Sequence, residues 1–570
     1  RTCMEQPAAT ALYYWQNYQF LLGWVRSRYE DILSDEERAF VVQFDALPQP
    51  AQALLVRMLM RKGLLFRHSK LVYPEIGDTA LAIEPLIACG WILANPDIPV
   101  EDLWRQLLKT ELHQQLQVPK ACSKANALDW LLSELPATAH WDSSVPGLSD
   151  ALYQLQIQDI SDLFRLMFFG NAYQELTEFV VADLGIMRYE TVPFPDEARA
   201  FKNRHELAVY RQIHQCTLLL DDKDWDACRD QLPEPQPQNV WLQRRRDKLC
   251  YRLAYQLERS GDLGGAMTLY QNTHYPGSHI RQIRILMAQE AFEPAWDLWQ
   301  TAVAEVQVEA DMQALERMGP RLAKKVGANF HVEKADIPTE MIETVPLESG
   351  ESVEVRAAQL IATPRNPVYF MENSLINGLF GLWCWPALFA PVQGAFFHPY
   401  QLAPADLHHP DFVARRADIF GSLWQQFEQQ GQQDKYAKAN RDTQGKKHNK
   451  DNKPSHPALH YAEAIRQRYS EKQGIANPFV NWNLLTPELL ELGLTCLPAD
   501  WLQALFRRLL SDIRANRSGF PDLVQFHLDQ QTATFIEVKG PGDTLQDNQR
   551  RWMAEFARIG IPHRVSHVRW

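Results

Sequence analysis

Phe520-Pro521-Asp522-Leu523-Val524-Gln525-Phe526-His527-Leu528, then Asp529-Gln530-Gln531, then Thr532-Ala533-Thr534-Phe535-Ile536-Glu537-Val538-Lys539-Gly540-Pro541-Gly542, is the stretch on which the fold turns. Two runs of alternating β-branched, aromatic and polar residues flank a polar triplet, the pattern of a β-hairpin, and the glycines and proline stop its second strand. Asp522 stands at the start of the first strand. Glu537 and Lys539 leave the same side of the second, because side chains alternate across a strand. Two carboxylates and an ammonium therefore converge at one sheet edge. Carboxylate oxygens with retained waters are what a hard divalent cation such as Mg²⁺ binds, and such an ion can activate water and neutralise charge developing on a phosphodiester. Lys539 adds a point charge able to orient the nucleophile or steady the transition state. Glu537-Val538-Lys539 is the only Glu-x-Lys in the chain.

Downstream, Leu545 to Ile559 reads as an amphipathic helix with Leu545, Gln549, Trp552 and Phe556 on one face, and Arg564 to Val568 as a last strand, giving strand, strand, helix, strand. Upstream, helical periodicity dominates the first three hundred residues, as in Ala51 to Arg61, Ala80 to Ala88 and Lys248 to Arg259, and an all-α scaffold is expected there. Leu103 to Leu135 reads as helix, short loop, helix, with Lys120 and Lys124 in the connection, and resembles a SAP module, a small helical DNA-binding motif. From Leu207 to Val303 the helices come in pairs of tetratricopeptide character: Ala254 and Ala266 let two helices approach, and Gly261-Asp262 turns between them. Asp434 to His456 is rich in lysine and polar residues and too poor in apolar ones to offset its ordering entropy, so a mobile basic loop is expected at residues 430–456.

The chain has 570 residues, too many for one core, with 46% apolar and 22% charged residues, the composition of a multidomain water-soluble protein. No apolar run approaches the ~20 residues of a membrane span, and the opening Arg1-Thr2-Cys3-Met4 lacks a signal pattern, so a cytoplasmic location is expected. Eight cysteines without a Cys-x-x-Cys suit buried thiols better than a zinc finger or a disulfide framework. The formal charge of -12 is an obstacle to a polyanionic partner, but basic residues cluster. Arg57, Arg61, Lys62, Arg67, His68 and Lys70 form one group, Arg244-Arg245-Arg246-Asp247-Lys248 a second, and His279, Arg281 and Arg284 a third. Such separated patches fit contacts to nucleic acid.

Phe520 to Val524 and Glu537 to Gln549 resemble the VRR-NUC domain, whose Asp…Glu-x-Lys grammar is that of the restriction-endonuclease-like nucleases. The chain from about residue 40 onward resembles the Fanconi-anaemia-associated nuclease family in a bacterial-type form: Arg61-Lys62 through Tyr73-Pro74-Glu75-Ile76 is similar to its N-terminal helical region, and Met371-Glu372-Asn373-Ser374-Leu375 through Trp385 to a helix delivering a further acidic ligand. The resemblance implies N-terminal helices (1–50), a helical DNA-binding region with the SAP-like module (51–150), a tetratricopeptide-like domain (151–345) and an α/β nuclease domain (346–570). It implies one or two Mg²⁺ or Mn²⁺ ions on Glu372, Asp522, Glu537 and the Val538 carbonyl, Lys539 as catalytic lysine, and Gln549 and Asp543 at supporting motif positions, Asp543 on the DNA side. Arg61, Lys62, Lys70, Lys120 and Lys124 are expected to contact DNA, and Arg244, Arg245, Lys248, Arg281 and Arg284 to form a basic pocket for a 5′-terminal phosphate. The implied activity is cleavage of branched or 5′-flap DNA, with 5′-to-3′ exonuclease action, in interstrand-crosslink repair. No cysteine spacing matches the ubiquitin-binding zinc finger of some relatives. The alternatives are a non-catalytic branched-DNA-binding repair scaffold and an adaptor binding a protein partner through the helical repeats.

Overall fold

A computed structural model of the chain describes residues 12–171, 173–174, 176, 187–306, 308–330, 340–344, 352–428 and 460–569. The expected basic loop at 430–456 lies outside the described residues. The chain divides into two compact units, one running to Met187 with Lys202–Arg204, the other comprising Arg188–Phe201 and His205 onward. No described helix is long and apolar enough to cross a membrane.

The first unit opens with helices Tyr13–Tyr29, Asp35–Ala46 and Gln49–Leu59. Ser34 starts the second with a capping box: its hydroxyl accepts from Glu37 N–H while the Glu37 carboxylate accepts from Ser34 N–H. The unit is mainly helical, as expected, but not wholly so. Strands β1 (Leu65–Arg67), β2 (Ile92–Ala94) and β5 (Leu152–Leu155) make an antiparallel sheet in the order β1-β5-β2, and β3 (Asp97–Pro99) pairs with β4 (Thr138–His140). Strands of three or four residues are too short to impose a period of two on the sequence. The SAP-like stretch also differs, because its expected first helix is two short ones, Val100–Gln106 and Lys109–Gln115, before Lys124–Glu134. Ile98, Leu103, Leu107, Leu112, Leu131 and Trp141 pack beneath it as a core of its own.

In the second unit, helices Val240–Ser260, Leu263–Gln271, Ser278–Ala288, Phe292–Glu305 and Glu309–Val326 stack in succession. Gly261 ends the first at φ 96° and Asp262 caps the next by accepting from Gly265 N–H. The rest is built on a five-stranded sheet, order β6-β10-β9-β8-β7, from β6 (Glu340–Thr344), β7 (Val368–Phe370), β8 (Leu523–His527), β9 (Thr532–Lys539) and β10 (His563–Arg569). β8 and β9 form the expected hairpin, Leu523 opposite Ile536, and β10 runs parallel to both β9 and β6. Ala533 and Phe535, on the face of β9 that carries Glu537 and Lys539, belong to a large core with Trp552 and Phe556 of helix Asp547–Ile559, whereas Ile536 and Val538 face a smaller core. Helix Leu375–Trp383 is buried along its whole length, and a Cβ at Gly381 would come within 2.8 Å of Phe479.

Candidate active site

The chemistry of the site follows from which faces of β9 are covered. Phe556 stacks on Phe535 and Trp552 on Phe520, so helix Asp547–Ile559 seals the apolar length of that face and its first turn arrives over Glu537 and Lys539. Gln549, in that turn, acts in both directions: its Nε2 donates to Glu537 Oε1 at 2.5 Å, and its Oε1 accepts from Lys539 Nζ at 3.1 Å and from Gln546 N–H at 2.8 Å. Lys539 Nζ lies 2.8 Å from Glu537 Oε1. Asp522 stands one residue before β8. Its carbonyl accepts from Met371 N–H at 2.8 Å, and its Oδ2 accepts from Val538 N–H at 2.9 Å, fixing it beside β9.

Both carboxyl groups bind protons more tightly than usual. Burial is the largest cause for each; Glu537 is raised to about 7, with the Asp522 charge adding to it, and Asp522 to about 6, with the charges of Glu372 and Glu354 adding. Glu537 Oε2 is buried and makes no hydrogen bond. A buried carboxylate oxygen with no donor, beside a second carboxylate whose charge repels it, fits the requirements of a cation ligand. The donor set, all carboxylate with the Val538 carbonyl nearby, suits a hard divalent ion.

Glu372 is placed differently from expectation. It belongs to the turn before helix Leu375–Trp383, not to the helix, and its side chain is exposed. Asn373, next to it, adopts φ 51°, and Ser374 N–H closes the turn on Met371 O at 2.7 Å. Its charge is felt by Asp522 and Glu537, so the three share one edge, yet among the described residues no three acidic, histidine or cysteine side chains are gathered closely enough to hold a metal as they stand. Glu354, at the start of helix Val353–Ile361, is an acidic neighbour that no spacing in the sequence flags. Asp543 accepts from Gly540 N–H at 3.1 Å and so fastens the Gly540-Pro541-Gly542 turn; its negative charge is of the wrong sign to attract a phosphate.

The expected arginine pocket is not assembled as such. Arg281 donates twice to Glu258 and lies over Tyr255, Arg244 pairs with Asp411 at 2.5 Å, and Arg245 covers the Tyr210 and Trp241 rings. Lys248 and Arg284 are exposed. Within the same unit a cavity of about 210 Å³ is lined instead by Arg514, Arg551, His408, His409, Asp512 and Pro276, a set the sequence reading missed. The signal was the run of arginines at 507, 508, 514 and 517, just ahead of Asp522. In the first unit, Arg61, Lys62, Lys70 and Lys120 are exposed, Arg61 also donating to Lys70 O, and Lys124 lies over Trp104. Arg57 and Arg67 of the same cluster are spent on Glu75 and on Glu111 with Asp150.

Comparison with known proteins agrees with this architecture. The "FAN1, HTH domain" family matches residues 12–93 and the "VRR-NUC domain" family residues 457–570, which include Asp522, Glu537 and Lys539. The chain is 39% identical to the Fanconi-associated nuclease 1 homolog of Pseudomonas aeruginosa, over 98% of this chain and 96% of that protein. It is 24% identical to the homolog of Oryza sativa, spanning 99% of this chain but 63% of the longer rice protein. Among solved structures, paFAN1 crystallised with gapped DNA bearing a two-nucleotide 5′ flap matches at a TM-score of 0.85 and 39% identity over 99% of both chains. The complex with a one-nucleotide flap matches at 0.82.

Proposed function

The chain belongs to the Fanconi-associated nuclease family and is thus a DNA nuclease dependent on a divalent metal, and from that premise we propose that it cuts phosphodiesters near 5′ flaps or branches, using Mg²⁺ or Mn²⁺ at Asp522 and Glu537. The observation that carries this is the buried Glu537–Lys539 pair under the half-buried Gln549, with Asp522 beside it at one sheet edge. Bound there, the cation supplies positive charge for the transition state and acidity for a water. Asp522 and Glu537, whose Oε2 has no donor, would hold it together with the Val538 carbonyl and Glu372. Lys539, whose ammonium lies 2.8 Å from Glu537 Oε1, would offer its charge to the attacking oxygen or the scissile phosphate. Gln549 keeps both groups in register. The cut leaves a 3′-hydroxyl and a 5′-phosphate.

We assign the terminal-phosphate pocket to the cavity of Arg514 and Arg551, since Arg244 and Arg281 already satisfy carboxylates. A DNA end held there supports 5′-to-3′ exonuclease steps as well as flap cleavage, and a role in interstrand-crosslink repair follows from the family. A non-catalytic scaffold has no use for an intact acid–acid–lysine set. The deciding experiment is cleavage of labelled flap, splayed and duplex DNA in Mg²⁺ or Mn²⁺. Asp522→Ala and Glu537→Ala should abolish cutting while DNA binding stays within a few-fold, because affinity resides in phosphate contacts elsewhere. Near wild-type cutting by either variant would mean that the centre lies elsewhere.

A further inference from the structure

Helix Asp547–Ile559 is held at its first turns by the last helix of the solenoid, Glu309–Val326. Arg551 Nη1 donates to Gln313 Oε1 at 2.8 Å, and its Nε lies 3.7 Å from Glu309 Oε2. Arg317 pairs with Asp547 at 2.6 Å. Glu309 is anchored in turn by Arg508 at 2.7 Å. Gln549 sits between the two gripped positions, and it is the side chain that holds Glu537 and Lys539 together. Arg551 also lines the cavity with Arg514, and its buried Nε makes no hydrogen bond. One side chain thus touches the solenoid and the cavity, and is carried two residues from the group that sets the carboxylate–lysine pair.

We propose that Arg551, held by Gln313, is a positioning residue that locks Gln549 over Glu537 and Lys539, and that a phosphate entering the cavity engages its guanidinium and so tightens the same lock. The inference rests on the nuclease reading above. Its physical basis is the steepness with which catalysis depends on geometry: a displacement of about 1 Å at the reacting groups costs about a hundredfold in rate. Among the described residues Arg551 is the one on helix Asp547–Ile559 that both lines the cavity and bonds to the solenoid helix. Gln313 itself does not line the cavity and touches no carboxylate of the centre, so it isolates the positioning role.

The test uses the full chain and steady-state cleavage of flap DNA, with a 5′-phosphate or a 5′-hydroxyl, in Mg²⁺. Gln313→Leu removes the acceptor at nearly constant volume, Gln313→Glu keeps one, and Arg317→Ala breaks the second tie at exposed positions where folding is not at stake. Gln313→Leu should lower kcat about tenfold on both substrates with KM within about twofold, and Gln313→Glu should restore it. Arg317→Ala should lower kcat by about threefold, again at constant KM. Arg551→Ala should show the same fall in kcat and also lose any advantage of the phosphorylated flap. Wild-type kcat in Arg317→Ala and in folded Gln313→Leu would overturn the proposal, as would a rise in KM alone or a Gln313→Glu variant as slow as Gln313→Leu. Absence of cleavage by the wild-type chain would instead remove the nuclease reading beneath it.

Discussion

At Glu537 the demands of function and stability oppose each other. Its carboxyl group is fully buried and is raised to about 7 in the folded chain, well above the ordinary glutamate value of about 4.3. Between those two values the folded state binds the extra proton, so this group's stabilising contribution is present at low pH and is lost as pH rises through about 7. Glu537→Gln should therefore melt higher than the parent at pH 8 in chelator, by a difference on the order of 2 kcal/mol, and equal to it near pH 4. Thermal melts across that range decide the matter; a difference that persists at pH 4, or is missing at pH 8, contradicts the assignment. Added Mg²⁺ should raise the parent's melting point and not the variant's, because binding to the native state stabilises it. Asn373 makes a second case. At φ 51° a β-branched residue is strained by about 1–2 kcal/mol, whereas glycine is not. Asn373→Gly should keep cleavage and Asn373→Val should lose most of it through misplacement of Glu372. Equal rates for the two would mean that Glu372 needs no fixed turn.

Among the elements, those with a long period were legible and those without were not. The β8–β9 hairpin, the helix after it and the paired helices around Gly261 announce themselves through alternation, capping and small residues at the helix contact. β6 and β7 did not, since three to five residues at a sheet edge carry too little pattern, and Val368–Phe370 is bounded by nothing that distinguishes it from loop. The acid–acid–lysine set was legible because it is written within eighteen residues of sequence, whereas the turn of Glu372 and the grip of Glu309–Val326 on Asp547–Ile559 exist only across long separations. Charge content alone does not reveal internal pairing, for the same reason. Arg281 and Arg244 look available in a linear reading, but Glu258 and Asp411 claim them. The cavity element makes a sharp comparison: Arg514→Glu should slow cleavage of 5′-phosphorylated flaps more than of 5′-hydroxyl flaps, because the terminal phosphate carries an added charge and more acceptor oxygens. Arg284→Glu, at an exposed position outside that lining, should affect both alike. If Arg514→Glu depresses both substrates equally, the cavity is not the end-binding pocket.

For the whole molecule the question is how a chain of formal charge -12 holds a polyanion. Net charge sets the long-range field, which is screened within about 8 Å at physiological salt, while affinity comes from cations that displace counterions at individual phosphates. What counts is the number of basic side chains left over after internal pairing. In the first unit Arg57 and Arg67 are consumed by Glu75, Glu111 and Asp150, while Arg61, Lys62, Lys70 and Lys120 are among the exposed cations of that stretch. Such contacts position DNA without reading its end or its sequence. Lys62→Glu and Lys120→Glu should accordingly weaken binding to flap, splayed and plain duplex DNA by the same factor, and each lost contact should reduce the slope of log K against log salt by about 0.9. At saturating DNA their kcat should match the parent's, because both residues are distant from Asp522 and Glu537 in sequence and belong to the other unit. Binding titrations at three salt concentrations, paired with single-turnover cleavage, separate this behaviour from that of the Arg514 variant. An unchanged salt slope in the double variant Lys62→Glu/Lys120→Glu would show that the first unit does not carry the DNA, and a reduced single-turnover rate at saturation would show that it does more than carry it.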